Sequence, residues 1–78
     1  MHYVYILQLS DSSFYVGYSS DLRQRFNAHK NKQVSSTKNT NKIILVWYAA
    51  FQSQDKALKF EKYLKSSSGF AFRNKHLL

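Results

Sequence analysis

Two tyrosine-bearing triplets, Tyr3-Val4-Tyr5 and Tyr15-Val16-Gly17, stand close to the N-terminus, and Arg25 and His29 follow one helical turn apart. Phenols and an imidazole can take and give protons, while a guanidinium fork holds oxyanions. The one group missing from this set is an inward carboxylate, and Glu61 is the residue whose position supplies it.

Glu61 is singled out by helical spacing. Ala57, Phe60, Glu61 and Leu64 recur at i, i+3, i+4 and i+7, which sets the acid in the middle of an apolar stripe. Lys56, Lys59, Lys62 and Lys65 fall towards the other side as solvent-facing charges. A glutamate turned inward needs compensation, by a metal ion, an arginine or an exposed cleft floor. An internal salt bridge with Arg25 is the plainest of these.

The elements that must position these groups are short and readable. Tyr3 to Leu9 alternates as a strand, with Tyr3, Tyr5, Leu7 and Leu9 on one face and Val4, Ile6 and Gln8 on the other. Ser10 to Ser13 are turn formers, and Phe14 to Tyr18 is a second strand, giving an antiparallel hairpin. Gly17 near its end marks a bulge or a close approach of another group. A helix follows, capped by Ser19 or Ser20 with Asp21 in its first turn. Leu22, Arg25, Phe26 and His29 form one stripe of it. The bland alternative is that Arg25 and His29 flank that stripe and reach outward.

Lys30 to Lys42 is polar and without apolar period, a loop in which Lys30, Lys32, Lys38 and Lys42 suit phosphate contacts or merely solvate a connector. Ile43 to Phe51 is apolar on both alternating faces, as in a strand covered on both sides that completes a three-stranded antiparallel sheet. Ser53 caps the helix that carries Glu61, from about Gln54 to Ser66. Ser66 to Gly69 breaks it, with Gly69 as a left-handed cap. Phe70 to His76 then closes the chain as a short helix burying Phe70 and Phe72, with Arg73, Lys75 and His76 outside. His2 and His76 are read as incidental.

Composition narrows the function. The 78 residues suffice for one domain, 1–78. No cysteine is present, which removes disulfides, thiolate metal sites and cysteine nucleophiles together. The apolar run Ile43 to Phe51 is far below the roughly 20 residues of a membrane helix, so a soluble, cytoplasmic protein with no membrane partner is expected. Twelve Lys/Arg against four acids give a net charge of +8, which favours polyanionic partners, nucleic acid first.

With these residues laid out, the sequence resembles the GIY-YIG endonuclease superfamily, and within it small stand-alone proteins similar to the N-terminal nuclease domain of the bacterial DNA-repair excinuclease. The first family triplet falls on Tyr3-Val4-Tyr5, with Tyr3 where the family has glycine, and the second on Tyr15-Val16-Gly17. The arginine eight residues beyond that glycine falls on Arg25, the histidine on His29 and the helix glutamate on Glu61. The resemblance implies an α+β domain of order β-β-α-β-α-α, a three-stranded antiparallel sheet flanked by helices. It further implies a DNA endonuclease that hydrolyses phosphodiesters with one divalent cation, Mg²⁺ or Mn²⁺. On that reading Glu61 anchors the cation and Arg25 holds a phosphoryl oxygen. Tyr5 takes a proton from water, directly as a phenolate or through a relay, with Tyr15 and His29 adjusting it. A phenolate near neutral pH needs a neighbouring cation, from the metal, Arg25 or Lys38. The competing reading is a catalytically silent nucleic-acid-binding module on the same scaffold. So small a domain is also compatible with a partner protein that directs it to its target.

Overall fold

The computed structural model describes residues 1–31 and 42–78. Three strands, β1 (His2–Leu9), β2 (Phe14–Ser19) and β3 (Ile43–Phe51), form one antiparallel sheet in the order β2-β1-β3. The helices are α1 (Leu22–Lys30), α2 (Gln54–Leu64) and α3 (Ser67–Phe72), followed by a closing π-helical turn, Arg73–Leu77. This is the expected β-β-α-β-α-α architecture.

Strand β1 lies between the other two, and its residues Val4, Tyr5, Ile6 and Leu7 are all buried. Val4 and Ile6 join Val16, Ala57 and Leu64 in the apolar core, against which Phe14, Tyr18, Trp47, Phe51, Phe60, Phe72 and Leu77 pack. Helix α2 therefore covers this face. Helix α1 covers the other, where its His29 meets Tyr5. The hairpin turn closes through the Leu9 N–H donating to Ser13 O and the Ser12 N–H donating to Leu9 O, with Ser12 in the left-handed region at φ 69°.

Several local expectations are corrected. The N-cap of α1 is Asp21, whose carboxylate accepts from the Gln24 N–H. Ser19 instead shapes the preceding turn, accepting from the Asp21 N–H and donating to the Asp21 carbonyl. The cap of α2 is Ser53, as the sequence indicates.

Strand β3 is not covered on both sides. It is an edge strand on which Ile44, Val46 and Tyr48 are exposed, and the doubly covered strand is β1. A bulge breaks the β3 alternation: Ile6 pairs with Trp47 and Leu7 with Leu45, leaving Val46 as the extra residue. Leu45 and Tyr48 are thereby brought to the same face of the sheet.

Helix α3 starts earlier than expected, at Ser67, with the Ser66 hydroxyl accepting from the Gly69 N–H. Gly69 is inside the helix with negative φ and is no left-handed cap; a Cβ there would collide with the Tyr63 carbonyl. The shifted start rotates the helix phase. Phe70 is exposed and Arg73 is buried, the reverse of the expectation, and the Arg73 guanidinium sits 4.5 Å from the Phe70 ring centre and 5.2 Å from that of Phe14.

Candidate active site

The site is built on the pairing of β1 with β2. Tyr5 stands opposite Gly17, so its ring crosses the neighbouring backbone where no side chain intervenes. A Cβ on Gly17 would come within 2.8 Å of Tyr5 Cε2 and closer still to Cζ and the hydroxyl. The close approach expected at Gly17 is thus the ring of Tyr5.

Tyr15, two residues before Gly17, points to the same face. Its ring centre lies 6.4 Å from that of Tyr5 and 5.0 Å from the imidazole of His29. His29 comes from the last turn of α1, where Leu22, Arg25, Phe26 and His29 do share the inward stripe while Arg23 and Gln24 are exposed. Its Nε2 is hydrogen-bonded to the Tyr5 hydroxyl at 2.9 Å, and the ring is fully buried. His29 is therefore not an outward-reaching flank.

Arg25, one turn before His29, completes the cluster by acting on both phenols. Its guanidinium is held firmly cationic, first by its hydrogen bond with Tyr5, and Tyr15 reinforces it. Its Nε is buried and has no acceptor among the described residues. A donor N–H without an acceptor is costly, and a bound anion would relieve it.

The proton-carrying groups are both tuned by burial. Burial raises the Tyr5 phenol above its ordinary 10.0, and the opposing pull of Arg25 does not cancel it. Of the cations expected to lower this phenol, Arg25 alone does not offset the loss of solvent at this depth. His29 is lowered from 6.5, by burial first and by Arg25 second. At neutral pH the pair is a neutral phenol beside a neutral imidazole.

Glu61 stands on α2, and its link to this cluster is electrostatic. Its charge acts on Tyr5 as the weakest of the influences on that phenol. Its side chain is 19% exposed and is paired not with Arg25 but with Lys65, one turn on, at 3.0 Å. Lys65, read as pointing away, folds back to Glu61 and remains 53% exposed. Among the described residues no group of three or more His, Asp or Glu could hold a metal. A single carboxylate still suits Mg²⁺, which keeps several waters and takes one or two carboxylates plus substrate phosphate. The donor set here is of that kind.

Of the lysines expected to meet phosphate, Lys30 ends α1, exposed and 5.6 Å from the Phe26 ring centre, and Lys42 precedes β3, also exposed. Lys32 and Lys38 lie outside the described residues. The structure brings Tyr5, Tyr15, Arg25 and His29 together, while Glu61 is linked to them only through its charge on Tyr5. Lys65 as the partner of Glu61 was missed in the sequence, though its i+4 spacing is a signal for it.

No helix among the described residues is long and apolar enough to cross a membrane. The chain is 37% identical over 68 residues to a UPF0213 protein of Staphylococcus saprophyticus, covering 86% of this chain and 83% of that one. A UPF0213 protein of Halalkalibacterium halodurans is also 37% identical, covering 86% of this chain and 72% of its own. The solution NMR structure of a UPF0213 protein from Bacillus halodurans superposes with a TM-score of 0.60 at 32% identity, covering 95% of this chain and 82% of that one. The family model of the GIY-YIG catalytic domain matches residues 1–75. With the tyrosine, arginine, histidine and glutamate positions in that match, the chain belongs to the GIY-YIG family, a nuclease superfamily.

Proposed function

We propose that this protein is a DNA endonuclease that hydrolyses phosphodiester bonds with one divalent cation, Mg²⁺ or Mn²⁺. The observation that carries this reading is the buried Nε–H of Arg25, which lacks an acceptor among the described residues beside a hydrogen-bonded Tyr5–His29 pair. A phosphoryl oxygen supplies that acceptor, and the same guanidinium counters the charge that grows in the transition state.

Proton transfer in this reading runs through neutral groups. Tyr5 is raised and so holds its proton at neutral pH, while His29 is lowered and so is neutral, and in this reading its proton sits on Nδ1 so that Nε2 accepts from the Tyr5 hydroxyl. Tyr5 accepts a proton from the attacking water as it passes its own to Nε2, and the imidazolium that forms is the relay's end. The water oxygen bonds to phosphorus and the bond to the 3′ oxygen breaks. Tyr15, edge-on to the imidazole, holds the ring in place. Glu61 would hold the cation, which supplies Lewis-acid polarisation of the phosphate and relief of charge on the leaving oxygen. Lys30, Lys32, Lys38 and Lys42 would contact flanking phosphates, adding affinity without reading sequence.

The test is incubation of the purified protein with supercoiled plasmid, branched DNA and single strands, with and without Mg²⁺ or Mn²⁺. Metal-dependent nicking is expected, lost in Glu61→Gln with DNA binding largely kept. Equal cleavage by Glu61→Gln would remove the role given to Glu61. Binding without cleavage under every condition would leave the silent binding module.

A further inference from the structure

The face of the sheet that carries Tyr5 continues into a feature the hydrolytic cluster does not use. An open hollow of about 510 Å³ lies between the first half of α1 and β3. Tyr3, Phe26 and Tyr48 bring aromatic rings to it, Leu22 and Leu45 bring apolar carbon, and Arg23 and the α1 cap Asp21 bring opposite charges. Tyr48 pairs directly with Tyr5 across the β1–β3 ladder and shares its face of the sheet, while the Tyr5 ring leans the other way, over Gly17. It is 55% exposed, a large aromatic left open to solvent. The Tyr3 and Tyr48 ring centres are 6.4 Å apart with planes inclined at 57°, so neither ring covers the face of the other.

We propose that this hollow is a subsite for one DNA base, that of a nucleotide flanking the phosphodiester held at Tyr5 and Arg25. The proposal rests on the hydrolase reading for which phosphate lies beside it. Three observations select a base over another apolar group. The walls are aromatic faces, on which any base stacks. The hollow is lined by Leu22 and Phe26, which flank Arg25 on α1, and by Tyr48, the cross-strand partner of Tyr5, so a ligand that carries a phosphate beside a flat ring can engage both regions. The chain's charge of +8 draws a polyanion and not an apolar peptide. The base must leave its stack to enter, so the occupant is an unpaired or extruded nucleotide.

The test uses binding without metal, read by fluorescence anisotropy of a short labelled single-stranded DNA, so that it does not depend on cleavage. Tyr48→Ala is expected to weaken binding about tenfold, the order of one lost stacked base, and Tyr48→Phe to retain it. Tyr48 is exposed, so both variants keep the fold. The same oligonucleotide is then made with an abasic site at each position in turn. One abasic position is expected to weaken the parent protein by a similar factor and to leave Tyr48→Ala unchanged.

Tyr48→Ala binding as tightly as the parent, or an abasic penalty equal in both proteins, would overturn the subsite. So would a parent protein that binds no oligonucleotide, or a Tyr48 surface that responds only to an apolar peptide. If the coupling between Tyr48 and one base holds while no DNA is cut, the subsite stands and the hydrolase reading falls. If cleavage depends on Tyr5 while the coupling is absent, the reverse is shown.

Discussion

The two faces of β1 are buried to the same degree by opposite means. Val4 and Ile6 meet Ala57 and Leu64 of α2 in an apolar core, whereas Tyr5 meets His29 and Arg25 of α1 through hydrogen bonds and charge. One face is satisfied by its own contacts. The other leaves a buried guanidinium N–H without an acceptor among the described residues. The apolar face can be complete as folded, because dispersion and solvent exclusion need no ligand. On the polar face an acceptor is wanting among the described residues, and a ligand oxygen that brought one would complete it.

Substitutions on the two faces should separate stability from chemistry. On the apolar face Leu64→Ala is expected to cost about 2–5 kcal/mol of unfolding free energy, by lost transfer and a residual cavity. Denaturant titration checks this, and under conditions where the variant stays folded its cleavage rate should match the parent. On the polar face Arg25→Ala is expected to lower turnover by roughly 10²–10³, the scale of a lost charge-stabilising donor. Its stability should change less, by the order of the hydrogen bonds it makes with Tyr5 and Tyr15, about 1 kcal/mol each, because it leaves no cavity in the apolar core. A stability loss in Arg25→Ala as large as that of Leu64→Ala would erase the contrast between the faces.

The smallest effect is a dependence of stability on pH. His29 is lowered from 6.5 by burial and Arg25, so the unfolded chain takes up a proton that the folded chain refuses. Stability from this group is therefore full above about pH 6.5 and is lost as pH falls towards the depressed folded value. Denaturation midpoints measured from pH 7.5 to pH 5.5 should fall in the parent and fall less steeply in His29→Gln. Cleavage by the folded protein should hold as the pH passes 6.5 and decline only at the depressed folded value, where the imidazole takes up a proton and no longer accepts that of Tyr5.

What was legible in the sequence follows the range of the interactions involved. The hairpin, the stripe that turns Arg25 and His29 inward and the Ser53 cap rest on neighbours within a few residues, and all are found where the spacing puts them. The Val46 bulge rests on which β3 residue meets Leu7, which is a matter of pairing across the chain, and period two along β3 carries no trace of it. Gly69 illustrates the same limit, since a glycine after serines marks a turn locally but here lets α3 pack against the Tyr63 carbonyl.

Depth was the least legible property. Helical spacing gives the direction of Glu61 but not its depth, and between buried Ala57 and Leu64 the acid is 19% exposed and paired with Lys65. For Tyr5 the nearby Arg25 argues for a lowered phenol, yet burial outweighs it and the phenol is raised. The raised phenol is what supports the proposed relay into His29.

The claim at the centre of this account is that the Tyr5 hydroxyl, hydrogen-bonded to His29 Nε2 at 2.9 Å, carries the proton of the attacking water. Tyr5→Phe deletes that oxygen and keeps the buried ring. The direct measurement is single-turnover cleavage of DNA with saturating Mg²⁺ or Mn²⁺, alongside DNA affinity, for the parent and Tyr5→Phe. The expected result is a loss of about 10²–10⁴ in cleavage rate, the range of general acid–base catalysis, with affinity unchanged. Cleavage by Tyr5→Phe at the parent rate would contradict it.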